Sequence, residues 1–229
     1  MRARVLFATA ALAAAEALVL SPGVAETLRA GKVHRQPGFA PPRLVDDLRY
    51  DVEALKRLDL FAPAGSGLAG AADSGLRAAE QADPVQRPRD VGCWDAYAAI
   101  WERMDLVRDE LSEILEKPLI PEMEMHYVRY PVGGFFRRHI DEFVDEAAEY
   151  EGEGIRSRRC VSWICYLTEP DWTAADGGQL ISFDGSEPTE FLPTSGSLVL
   201  FDSLAVEHEV RPTQRERDCL VGWFHTLVV

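Results

Sequence analysis

The chain has 229 residues, 47% of them hydrophobic and 27% charged, enough to bury one sizeable core without staples. A net charge of −14 argues against nucleic acid or an anionic membrane surface as the main partner. Four cysteines, with no CxxC pair and no zinc-type Cys/His spacing, argue against a thiolate metal centre.

The chain begins MRARVLFATAALAAAEALVLSPGVA, with Arg2 and Arg4 ahead of an apolar run from Val5 to Ala15 and small residues at Ala13, Ala15, Gly23 and Ala25. Residues 1–25 read as a secretory-type targeting segment with cleavage after Ala15 or Ala25, or equally as an Ala-rich helix packed on the domain. The uninterrupted apolar part, broken by Glu16, is too short for a membrane span. Few cysteines point to a cytoplasmic protein and the signal-like start to a secretory or organellar one, so the compartment stays open. Residues 26–43, bearing Pro and Gly, read as a linker.

Residues 44–120 read as a helical support. Leu44 to Leu60 carries Leu44, Val45, Leu48, Val52, Leu55 and Leu58 near helical spacing. PAGSGLAGAADSG is a loop by composition, and Pro84 to Gly92 is a second break. Trp94 to Glu116 is the strongest helix, with Trp94, Tyr97, Ile100, Trp101, Met104, Val107, Leu111 and Leu115 along one side. Lys117-Pro118 ends it.

From residue 121 to 229 the texture is that of short strands: EMHYVRY, RRCVSWICYLT, GGQLISF, GSLVLF and CLVGWFHTLVV, with Asp-Gly, Ser-Gly and Pro turns between them. Alternation places Ser162, Ile164 and Tyr166 on one face, and Trp163, Cys165 and Leu167 on the other. By the same parity Cys160 and Cys165 point to opposite faces and cannot pair. The predicted class is α+β, a double-stranded β-helix (jelly roll) braced by N-terminal helices.

Within YPVGGFFRRHIDEF, strand geometry would aim His139 and Asp141 at one point. A lone His-x-Asp pair arises often by chance, and a third ligand is needed. His208, in AVEHEVRP after an apolar strand, is the candidate. Two histidines and one carboxylate on one face of a metal form the triad of non-haem Fe(II) oxygenases. Arg217 opens the last strand, and a guanidinium buried there requires an anion, which a dicarboxylate cosubstrate would supply. Arg215 fits a surface position better.

These segments, from Glu122 to Phe224, resemble the catalytic domain of prolyl 4-hydroxylase-type 2-oxoglutarate/Fe(II) dioxygenases, most of all the branch containing the oxygen-sensing prolyl hydroxylases and their microbial relatives. The resemblance implies that His139, Asp141 and His208 ligate iron and that Arg217 and Tyr166 bind the distal carboxylate of 2-oxoglutarate. Tyr130 matches a pocket tyrosine, although an aromatic core role fits it nearly as well. It also implies Fe(II), 2-oxoglutarate and O2, with ascorbate as reductant and succinate and CO2 as products. The implied substrate is a prolyl residue of a protein or peptide. The alternatives are a free amino acid or other small molecule, or a non-catalytic jelly-roll binding protein. The acidic stretch DEFVDEAAEYEGEG matches a loop over the substrate in that family and would favour a peptide with basic flanks.

Overall fold

The computed structural model of the chain describes residues 19–65, 75–141, 144–150 and 155–228. Most of the segment 1–25, read as a targeting signal or an Ala-rich helix, and of the Gly/Ser-rich loop therefore lies outside the described residues, as do Glu142, Phe143 and 151–154 of the acidic stretch. No helix among the described residues is long and apolar enough to cross a membrane.

Among the described residues three α-helices precede most of the sheet: α1 (Val24–Arg29), α2 (Pro42–Arg57) and α3 (Trp94–Ile114). Prolines open α2, where a missing N–H costs nothing. Val45, Leu48, Val52 and Leu55 of α2, and Ile100, Met104, Val107 and Leu111 of α3, are buried at helical spacing. Each such side chain contributes roughly 1.5–3 kcal/mol by leaving water. Glu116, in the left-handed region at φ 53°, turns the chain out of α3 before Pro118.

The strands are β1 (His34–Gln36), β2 (Ala62–Pro63), β3 (Glu80–Ala82), β4 (Met123–Tyr130), β5 (Phe136–His139), β6 (Val144–Tyr150), β7 (Ile155–Tyr166), β8 (Leu180–Ser182), β9 (Thr189–Phe191), β10 (Leu198–Asp202), β11 (His208–Val210) and β12 (Arg217–Val228). They form two antiparallel sheets. The major one runs β1-β10-β7-β12-β4-β3-β2, with β6 on β7, and the minor one runs β5-β11-β8-β9. The major sheet is covered on both faces. Met125, Tyr127, Trp163, Cys165, Leu198, Leu200, Leu220 and Phe224 pack against the helices. Val128, Tyr130, Ile164, Tyr166, Val199, Phe201 and Cys219 face the minor sheet, where they meet Leu180, Val206 and Val210. Strands buried on both faces read as continuous apolar runs, as GSLVLF and CLVGWF do.

Three sequence expectations are corrected. Residues 26–43 are not a linker: α1 ends in them, β1 pairs with β10, and Val33, Phe39 and Ala40 are buried. The glycines there, Gly31 and Gly38, take positive φ and make turns. The 44–120 support also holds β2 and β3, and β3 joins the main sheet through β4. Finally, Cys160 shares the helix-facing core with Cys165. The register between β7 and β12 slips there, pairing Phe224 with Val161 and His225 with Arg159. This bulge reverses the parity of Cys160. All four cysteines are free thiols. Of the segment 1–25, the described part is built into the core, with Leu20 and Val24 buried.

Candidate active site

His139 and His208 are direct cross-strand partners on β5 and β11, with ring centroids 4.2 Å apart. The register shifts by one residue between this pair and the next, Val210 with Phe136. The bulge re-aims β5 so that the Phe136 ring stacks on His139, 3.6 Å between centroids. Asp141 lies just beyond β5, so its approach to the histidines does not come from strand alternation. Its Oδ1 stands 3.3 Å from His139 Nε2 and 3.8 Å from His208 Nε2. One ligand atom from each residue lies within 4.8 Å of the others.

Both imidazoles are oriented from behind. His139 Nδ1 lies 2.7 Å from the Arg137 carbonyl, and His208 Nδ1 lies 3.1 Å from that of Val206. A carbonyl only accepts, so each Nδ1 carries a proton and each Nε2 is turned toward Asp141. Burial pushes His208 down to about 4, partly countered by the Asp141 carboxylate. Burial raises Asp141, but His208, His139 and the Ser162 hydroxyl outweigh it and hold the carboxyl well below its usual range. At neutral pH the cluster thus presents a neutral imidazole at His208 and a carboxylate at Asp141, the forms that bind a divalent metal.

Arg217, at the start of β12 opposite Tyr130 of β4, is 1% exposed. Its Nη1 donates to the Gly178 carbonyl at 2.8 Å, and Nη2 reaches Cys219 Sγ at 3.7 Å. Its Nε has no partner among the described residues, nor has the buried Tyr166 hydroxyl. The guanidinium lies 4.7 Å from the Tyr130 ring centroid and 5.0 Å from that of Tyr166. Burial raises both phenols, so the tyrosines are neutral. A Cβ at Gly178, where φ is +70°, would sit 3.0 Å from Arg217 Cδ, so that glycine keeps room for the arginine. A buried cation beside an unpaired hydroxyl, with no carboxylate for either among the described residues, fits a bound carboxylate.

The six residues singled out from the sequence are therefore all buried or half-buried around the inner face of the two sheets. Two others were not. Ser162 Oγ and Trp223 Nε1 donate to the second oxygen of Asp141, at 2.8 and 3.0 Å. Parity along β12 could have found Trp223, since it shares a face with Arg217. A second cluster, Glu53, Glu216 and Asp218, also brings three carboxylates together. It is paired with Arg129, with Nη2–Glu53 at 2.8 Å and Nε–Asp218 at 2.9 Å, and with Lys56 on Glu216 at 3.1 Å.

The sequence model of the 2OG-Fe(II) oxygenase superfamily matches residues 125–225, which span β4 to β12. A prolyl-4-hydroxylase from Pseudomonas putida superposes with a TM-score of 0.71 at 31% identity, over 89% of this chain and 97% of that one. A Trichoplax adhaerens prolyl hydroxylase, solved with a hypoxia inducible factor oxygen degradation domain peptide fragment, gives 0.71 at 21% identity, over 88% of this chain and 86% of that one. A prolyl 4-hydroxylase from Phytophthora capsici gives 0.68 at 20% identity, over 90% of this chain and 62% of that one. The search of curated proteins returned no match. The jelly roll, the imidazole–carboxylate cluster and the 31% identical structure together make this chain a member of the 2OG-Fe(II) oxygenase superfamily, of prolyl-hydroxylase type, and a dioxygenase dependent on Fe(II) and 2-oxoglutarate.

Proposed function

We propose that this enzyme hydroxylates a prolyl residue of a protein or peptide, with His139, Asp141 and His208 as the iron ligands and Arg217 and Tyr166 as the receptors of the distal carboxylate of 2-oxoglutarate. The observation that carries the assignment is the buried Arg217, which has no carboxylate partner among the described residues and opens the strand β12 of the major sheet, whose inner face is turned to the minor sheet that carries His139 and His208. The prolyl substrate is supported by the Pseudomonas and Trichoplax prolyl hydroxylases, the latter solved with a peptide fragment.

When bound, the ferrous ion supplies O2 activation coupled to decarboxylation of 2-oxoglutarate, giving succinate, CO2 and the alcohol. The chain's own residues contribute orientation and dryness. Arg137 and Val206 carbonyls keep each Nε2 free for the metal. Arg217 and the neutral Tyr166 hydroxyl would donate to one end of the cosubstrate and fix its keto-acid end toward the triad. Tyr130 packs its ring beside the guanidinium. Phe136 and Phe201 wall off the imidazoles, with the Phe201 ring 4.6 Å from His208.

The test is turnover of 2-oxoglutarate with Fe(II), ascorbate and a set of proline-containing peptides, read as succinate and as a mass gain of one oxygen on proline. The expected result is coupled formation of both, abolished in His208→Ala. Succinate coupled to a free amino acid, with every peptide left unmodified, would replace the peptide substrate with a small molecule.

A further inference from the structure

We infer that Ser162 and Trp223 form a two-donor clamp on Asp141 Oδ2, which leaves Asp141 one oxygen for the metal and sets where that oxygen points. The inference rests on the triad reading above, and it makes Ser162 and Trp223 positioning residues.

The geometry separates the two oxygens of one carboxylate. Oδ1 faces His139 and His208, and Oδ2 accepts from the Ser162 hydroxyl and the Trp223 indole N–H. An indole N–H can only donate, and a hydroxyl has a single proton. With that proton on Asp141, the 2.8 Å contact between Ser162 and Ser203 has Ser203 as the donor. The hydroxyls are thus ordered in one direction, toward the carboxylate.

The clamp belongs to a strand ladder and its target does not. Ser162 and Trp223 are direct cross-strand partners on β7 and β12, two 12-residue strands in the middle of the major sheet. Asp141 follows the end of the four-residue β5 in the minor sheet, outside any ladder. Its carboxylate is therefore held by the sheet opposite its own. Trp223 is itself supported from outside. The Arg159 guanidinium lies 3.5 Å from its ring centroid and is paired twice with Glu124, at 2.9 and 2.6 Å. Glu124 lies opposite Trp223 on β4 and also holds His225 Nε2 at 2.7 Å. Partners that orient a metal ligand are worth about 10–100-fold in metal affinity.

The experiment uses metal-free full-length protein with Mn(II) titrated calorimetrically and Co(II) followed by its d–d absorption, in wild type, Ser162→Ala, Trp223→Phe, the double variant and His208→Ala. Trp223→Phe keeps the ring and removes only the donor. Each single variant is expected to weaken Mn(II) about tenfold and the double about 100-fold. The Co(II) bands should shift, while metal-free melting stays near wild type. A wild-type Mn(II) dissociation constant and unshifted Co(II) bands in both Ser162→Ala and the double variant would overturn the clamp, whatever their melting temperatures. If Trp223→Phe fails to fold, Ser162→Ala carries the test alone. His208→Ala separates the two layers. Undiminished Mn(II) binding in that variant removes the triad reading itself, whereas binding lost only there removes the clamp and leaves the triad.

Discussion

Arg87, Arg129 and Arg217 are all buried, yet they have different company. Arg87 forms an ion pair with Asp51 in which both side chains are fully enclosed, and Asp51 also accepts from the Cys93 N–H at 2.6 Å and the Tyr127 hydroxyl at 2.8 Å. Arg129 meets Glu53 and Asp218. Arg217 meets only neutral groups among the described residues. Removing one partner of an enclosed pair strands the other, so Asp51→Ala should cost about 3–5 kcal/mol in urea unfolding. Arg217→Gln strands no carboxylate and should leave metal-free stability nearly unchanged, while the KM for 2-oxoglutarate rises on the order of 100-fold, as expected for loss of charge-assisted hydrogen bonds worth about 3 kcal/mol. A large stability loss with an unchanged KM would make Arg217 a structural residue. Glu124 gives the pH dependence. Burial raises it, but His225 and Arg159 outweigh that and bring it from 4.5 to about 2. A depressed carboxyl contributes stability that is complete above its unfolded value and lost as pH falls through the folded one. The gap in unfolding free energy between wild type and Glu124→Gln should therefore be constant, on the order of 2–3 kcal/mol, above about pH 5 and close toward pH 2.

At the scale of elements, legibility in the sequence followed regularity. Parity assigned both faces of 162–167 correctly because β7 and β12 keep an unbroken register there. It failed at Cys160, because an inserted residue leaves no mark in a pattern of period two. It also pictured Asp141 as part of a strand, whereas β5 ends at His139 and hydrogen bonds from another sheet do the aiming. The histidines were legible as motif residues, but their cross-strand pairing depends on topology that no local spacing encodes. Phe39 and Ala40 were hidden in a stretch whose Pro and Gly content looks like a linker and serves as turns and a helix start. Gly222 shows the opposite case, a glycine inside an apolar strand that signals a close approach. A Cβ there would collide with the Glu124 carbonyl oxygen and the Trp163 indole. Since a backbone atom and a fully buried ring cannot both yield, Gly222→Ala should destabilise the fold by a few kcal/mol. It should also weaken Mn(II) binding, because Trp223 is its chain neighbour. A variant with wild-type melting would show that β12 relaxes there at little cost.

Across the whole molecule, the site is what joins the two sheets around a shared interior. His139 and His208 belong to the minor sheet, and Arg217, Tyr166 and Tyr130 to the major one. Asp141 is tethered between them. Ligands that bind this interior bind only the folded arrangement, so they stabilise the chain by mass action. At 100 times its dissociation constant a ligand adds about 2.7 kcal/mol, which for a chain of this size is about 5–10 °C in melting temperature. Metal-free protein should therefore melt lowest, Mn(II) should raise it, and 2-oxoglutarate should raise it again only when Mn(II) is present, because the proposed assignment has the metal holding one end of the keto-acid and Arg217 the other. The variants divide the response. His208→Ala should lose both increments, whereas Arg217→Gln should keep the first and lose the second. An increment from 2-oxoglutarate without metal that survives in Arg217→Gln would place the keto-acid elsewhere and detach the buried guanidinium from the cosubstrate.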